Sequence, residues 1–193
     1  MSFDKARVLT AQDLRAVSHP LRVRLLALLE TEGPLTATEA ASRLETTPAN
    51  CSFHLRLLAR HGFVEEAAGG VGRQRPWQVV EEITKISSEL LDEESMPALR
   101  ALDDIEFQLY RDAVTSYLRT RSEYPPDWQA AAGRSWATVH LTAAETEELK
   151  QKLHAVFEPY IELGRPSKRR PGTTPVMAHQ ALIPLRMPEA ADV

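Results

Sequence analysis

Cysteine is nearly missing: Cys51 is the one thiol in 193 residues. A lone thiol excludes an intramolecular disulfide framework and any cysteine-rich zinc finger. Long apolar runs are missing as well. The longest, Leu25-Leu26-Ala27-Leu28-Leu29, has five residues, against the roughly 20 that a membrane-spanning helix needs. Met1-Ser2-Phe3-Asp4-Lys5 lacks the apolar centre of a secretion signal. A cytoplasmic location away from membranes is therefore expected, and the sequon Asn50-Cys51-Ser52 reads as a chance match. Catalytic signatures are absent too: no Gly-x-Ser-x-Gly, no His-Glu-x-x-His and no Gly-x-x-x-x-Gly-Lys loop. Gly70-Val71-Gly72 falls in a hairpin rather than between a strand and a helix, the place a dinucleotide fingerprint requires. The sequence reads as a non-enzyme with no cofactor.

What is present is ordinary for a globular protein. Hydrophobic residues are 43% and charged residues 26% of the chain, which argues against disorder and against a collagen-like repeat. The net charge of −4 hides an asymmetry. Residues 1–80 hold 10 Lys/Arg against 8 Asp/Glu, and residues 81–193 hold 13 against 19. A mildly basic front and an acidic back suggest different partners for the two parts.

The front reads as short helices followed by a hairpin. Thr10 caps a first helix, with Asp13 at its third position. Ser18 is placed to cap a second, with Pro20 in its first turn and Leu21, Leu25, Leu28 and Leu29 as its apolar stripe. Gly33-Pro34 ends it. Thr36-Ala37-Thr38-Glu39 is a capping box for a third helix, with Leu35 as a staple residue. After only Glu45-Thr46, Thr47-Pro48 opens a fourth helix, whose inward stripe is Cys51, Leu55 and Leu58. His61-Gly62 stops it. Two extended runs, Phe63–Glu65 and Trp77–Val80, flank a tip at residues 69–75. Leu99, Leu102, Ile105, Leu109, Ala113 and Tyr117 then mark one long helix, a narrow stripe that asks for a partner helix from this chain or another copy. Tyr124-Pro125-Pro126-Asp127 breaks it. The tail carries strand candidates at Trp136–Leu141 and Val176–Leu185. Between them lies a helix behind a second capping box, Thr142-Ala143-Ala144-Glu145.

A helix, a tight turn, a second helix with a polar outer face and then a hairpin is the order of a winged helix-turn-helix. There the second helix enters the DNA major groove. The candidate DNA-contacting residues follow. Thr47 and the amide groups after it can hold a phosphate oxygen. Ala49 and Ser52 are small enough for close approach, and Phe53, Arg56 and Arg60 face outward with them. Asn50 suits adenine and Arg56 suits guanine or a phosphate. Arg73, Gln74 and Arg75 at the hairpin tip can reach phosphates or a narrow minor groove. His54 belongs to the set as a phosphate contact, although a structural hydrogen bonder beside the core is its commoner role. The dimer candidates are Leu99, Leu102, Ile105, Leu109 and Tyr117.

Ser18-His19-Pro20-Leu21-Arg22-Val23-Arg24-Leu25-Leu26, Ser52-Phe53-His54-Leu55-Arg56-Leu57-Leu58 running into Gly62-Phe63-Val64, and Gly72-Arg73-Gln74-Arg75-Pro76-Trp77 together resemble the ArsR-type winged-helix repressors. The likeness spans about Leu14 to Val80. It implies a homodimeric bacterial transcription regulator, usually a repressor released by an effector. The cysteine pair of metal-sensing members is lacking. Asp103, Asp104 and Asp112 lie on the long helix with no histidine on it, so no metal effector is expected.

Other side chains carry sharper and plainer readings. His140 and His179 would meet if the two tail strands paired, yet they read better as half-buried sheet residues, since a metal site needs three or four ligands. Cys51 reads as an inert core thiol rather than a redox switch. Arg165, Lys168, Arg169 and Arg170 form a basic link, more simply solvated than bound to DNA. Trp128, Trp136, Phe157 and Tyr160 line either a core or an effector pocket.

The expected architecture is mainly α with small β (α+β), in three parts. Residues 1–82 form a winged helix-turn-helix DNA-binding domain, residues 83–122 a helical dimerisation region, and residues 123–193 a small strand-helix-strand tail for an effector or further dimer contacts. The expected partners are a double-stranded DNA operator, a second copy and a small-molecule effector. The alternative is a protein-interaction or ligand-binding module on the same scaffold that does not bind DNA. A small enzyme in the tail ranks last.

Overall fold

The structure is a computed structural model that describes residues 7–69, 75–80, 84–85, 92–165 and 168–187. Four helices form its front: α1 (Ala11–Val17), α2 (Pro20–Glu32), α3 (Ala37–Arg43) and α4 (Pro48–Arg60). Thr10 and Thr36 each close a capping box, with Asp13 and Glu39 returning a carboxylate to the cap N–H. The start of α2 differs from expectation. Ser18 ends α1, its amide and hydroxyl both donating to the Leu14 carbonyl. His19 is the cap of α2, its Nδ1 accepting the Leu21 amide at 3.2 Å. With Ser18 committed to the helix behind it, the next acceptor along the chain takes over.

Two antiparallel strands follow, β2 (Val64–Glu66) and β3 (Trp77–Val79), after a short β1 (Arg7–Val8). Val64 pairs with Val79 and Glu66 with Trp77. Leu35 adds a bridge to Trp77, with N–H donors at 3.0 and 2.8 Å in both directions. Most of the expected tip, including Arg73 and Gln74, lies outside the described residues. β1 pairs in parallel with β4 (Thr84–Lys85).

One core joins α2, α3, α4 and β2 around Leu25, Leu29, Ala40, Leu55, Leu58 and Val64. A second holds Leu14, Val17 and Val23 against Leu102 of α5 (Met96–Thr120), with Leu99, Ile105 and Leu109 packed at its edge. This half of the long stripe is thus covered by its own chain, and Leu102 is only 5% exposed. Tyr117 donates its hydroxyl to the Ala132 carbonyl at 3.0 Å and sets its ring edge against Tyr124.

The Pro-Pro break starts a helix as well as ending one: α6 (Pro126–Ala131) begins with its proline in the first turn, where a missing N–H is harmless. Beyond it, the expected strand-helix-strand tail is corrected. α7 (Ala143–Gly164) forms behind its Thr142–Glu145 capping box, but Trp136–Leu141 and residues 176–185 are not strands. Their alternation is real, but a strand exists only through a ladder partner, and neither segment meets one among the described residues. Trp136 is accordingly 88% exposed and Leu185 80%. His140 is exposed, while His179 stacks on Tyr110 with ring centroids 4.4 Å apart, so the two histidines have different surroundings.

Candidate nucleic-acid interface

Four residues, Leu44 to Thr47, join α3 to α4. Glu45 makes the turn tight by adopting a left-handed φ of 53°, and the Thr46 amide reaches back to the Ala41 carbonyl at 3.0 Å. Thr47 caps α4, its Oγ1 accepting the Asn50 amide at 3.2 Å. Pro48, which has no N–H to satisfy, occupies the first helical position.

Periodicity then divides the helix. Cys51, Leu55 and Leu58 are fully buried, and burial pushes the Cys51 thiol up from its usual pKa. Ala49, Asn50, Phe53, Arg56 and Arg60 are exposed, and Ser52 is half-buried. Between its ends α4 carries two arginines and no carboxylate. Arg56 donates Nε to the Ser52 carbonyl at 3.1 Å, which fixes its stem. The amide nitrogen of Asn50 donates to Thr46 Oγ1 at 3.1 Å, which uses one of its two N–H donors. Phe53 is 59% exposed, an apolar ring in a basic strip.

His54 is a correction. It is 7% exposed, its ring is tilted against His19 at 4.6 Å, and its buried Nδ1 has no hydrogen-bond partner among the described residues. Burial, then the nearby His19 and Arg22, hold its pKa below the ordinary histidine value. It lies on the inner side because α2 and α3 both pack on α4, so the covered arc is wider than the apolar stripe alone. At the hairpin, Arg75 is exposed and pairs loosely with Glu66 at 3.4 Å, while Gln78 donates to Glu65. Carboxylates on β2 therefore offset part of the hairpin's positive charge.

Local sequence patterns miss what anchors the far end of α4. Asp13, 7% exposed, accepts the Thr10 amide at 3.1 Å, meets Arg7 at 2.9 Å and sits 3.0 Å from Nδ1 of His61, the residue that ends α4. Burial alone would raise its pKa. Bonds from the Thr10 amide, His61, the Thr10 hydroxyl and Arg7 outweigh burial and bring it down to about 2. The capping box was visible in sequence, but the reach across 48 positions to His61 has no periodic signature.

Residues 17–67 match the family model for a helix-turn-helix domain. That match coincides with α2, α3, α4 and β2 and defines the class: the chain carries a helix-turn-helix module of the kind found in DNA-binding regulators. No curated protein matches the chain. No helix among the described residues is long and apolar enough to cross a membrane.

Proposed function

We propose that this protein is a homodimeric, sequence-specific DNA-binding transcription regulator of the ArsR-like winged-helix plan, a repressor released by an effector. One observation carries the reading: α4 presents a carboxylate-free outer face on which Arg56 is held ready by the Ser52 carbonyl. In this reading residues 1–82 bind DNA, with α4 in the major groove and the β2–β3 hairpin as the wing. Residues 83–122 join the subunits, and residues 123–193 carry effector or further dimer contacts. Thr47, Ala49, Asn50, Ser52, Phe53, Arg56 and Arg60 contact the duplex, and Arg73, Gln74 and Arg75 reach its backbone. Because Leu102 is covered by its own chain, the pairing surface on α5 is its outer side, where Phe107 and Leu118 are exposed. Two such helices would address successive major grooves about 34 Å apart.

The test is duplex selection from a random pool by the full chain, followed by anisotropy titration at two salt concentrations. We expect a log–log salt slope that steepens by about 0.9 per neutralised phosphate. Arg56→Ala should lower affinity for the selected site about tenfold or more while leaving the circular dichroism spectrum unchanged. Salt-independent binding, or an unaltered affinity in the variant, counts against the reading. A second reading, a protein-interaction module without DNA, is favoured by exposed Phe53 and by Glu65 and Glu66 on the hairpin. Capture of a defined partner with no duplex shift would support it.

A further inference from the structure

A groove of about 560 Å³ lies behind the helix-turn-helix, walled by α2, the loop after α4, β3 and α5. Leu26, Phe63, Val80 and Leu109 give it an apolar floor, and Met177-Ala178-His179 crosses one side. The strap is held by stacking of the His179 ring on Tyr110, itself part of the wall. Among the described residues, the lining includes two carboxylates, Glu30 from α2 and Glu106 from α5, and no lysine or arginine. Both glutamates are exposed at the mouth.

Charge at that mouth is unbalanced. Among the described residues, the charged neighbours acting on Glu106 are Asp103 and Glu30, both of its own sign. Arg169 lies near Glu30 and offsets part of its charge while donating Nη2 to the Glu30 backbone carbonyl and Nε to that of Gly164, so the imbalance is greatest at Glu106. Surrounding protein, then Asp103 and Glu30, raise the Glu106 pKa above the usual carboxylate range. Surrounding protein raises that of Glu30 despite the opposing pull of Arg169. Carboxylates in that position gain from a positive neighbour.

We infer that this groove is a ligand site for an amphipathic organic cation, its apolar body on the floor formed by Leu26, Phe63 and Leu109 and its positive group between Glu30 and Glu106. Concave, mostly apolar sites with a few convergent polar groups are the usual form of small-molecule sites. Apolar contact supplies the affinity, and the two carboxylates set the sign of charge accepted. The walls belong partly to the helix-turn-helix and partly to α5, so an occupant bears on the angle between them.

The test is anisotropy titration of the full chain with rhodamine 6G, an apolar cation, beside fluorescence titration with 1-anilinonaphthalene-8-sulfonate, an apolar anion. We expect the cation to bind more tightly. Glu30→Gln and Glu106→Gln should each weaken it about fivefold, as loss of a partly exposed charge pair does, with no weakening of the anion. Both substitutions sit at the mouth and should leave the circular dichroism spectrum unchanged. Equal affinity for the two probes, binding of neither, or cation binding untouched by the double variant overturns the inference. No duplex enters the measurement, so its failure and the failure of the DNA reading are separate results.

Discussion

Asp13 fixes more of this molecule than any other single polar side chain described above. Its folded pKa of about 2 lies below the ordinary 3.8. A depressed carboxylate contributes stability that is present above about pH 4 and is lost as pH falls towards 2. The shift corresponds to about 2 kcal/mol. We expect Asp13→Asn to lower the unfolding free energy at pH 7, read from urea melts, by about that amount and to flatten the acid limb between pH 4 and 2. An unchanged acid limb would count against the tether.

His54 and His19 work in the opposite pH range. Burial is the main cause that holds the pKa of both below the usual 6.5. Their contribution is present above pH 6.5 and falls as pH drops below it, because the unfolded chain takes up protons first. Urea midpoints at pH 7.5 and 5.5 should differ in the native chain and differ less in His54→Leu. The burial of Cys51, Leu55 and Leu58 was legible from their spacing; for His54 the sequence favoured a place beside the core while leaving a phosphate contact open, and packing of α2 and α3 on α4 decides for the core.

At the scale of the element, α4 needs its inner face as much as its outer one. Leu55 is fully buried among residues of α2, α3 and β2. Leu55→Ala should cost about 2–5 kcal/mol, read as a shift of the urea midpoint, and should lower duplex affinity only where the fold is lost. The caps at Thr10, Thr36, Thr47 and Thr142 were all legible, because each is decided by contacts three residues away. The tail strands were not, because alternation in Trp136–Leu141 specifies a face but not the ladder that would make it a strand. α6 was hidden by its own prolines: Pro126 looks like a breaker and serves as a first helical residue.

For the whole molecule, the two halves differ in how they bury apolar surface. The front packs its leucines within two connected clusters. The back leaves Leu118 of α5, Val156 and Tyr160 of α7, Trp136 and Leu185 exposed. Chains of this kind cover such surface by association. We expect the full chain to sediment as a dimer and Leu118→Glu to shift it to a monomer. A native chain that is monomeric at micromolar concentration would remove the proposed pairing along α5.

The parallel pairing of Arg7–Val8 with Thr84–Lys85 has one more effect. It brings the chain's entry into the helix-turn-helix module beside its exit towards α5, so the module is a loop fastened at its own neck. Arg7 of that neck meets the Asp13 carboxylate, and the same carboxylate meets His61, so the neck is tied to the carboxyl-terminal end of α4.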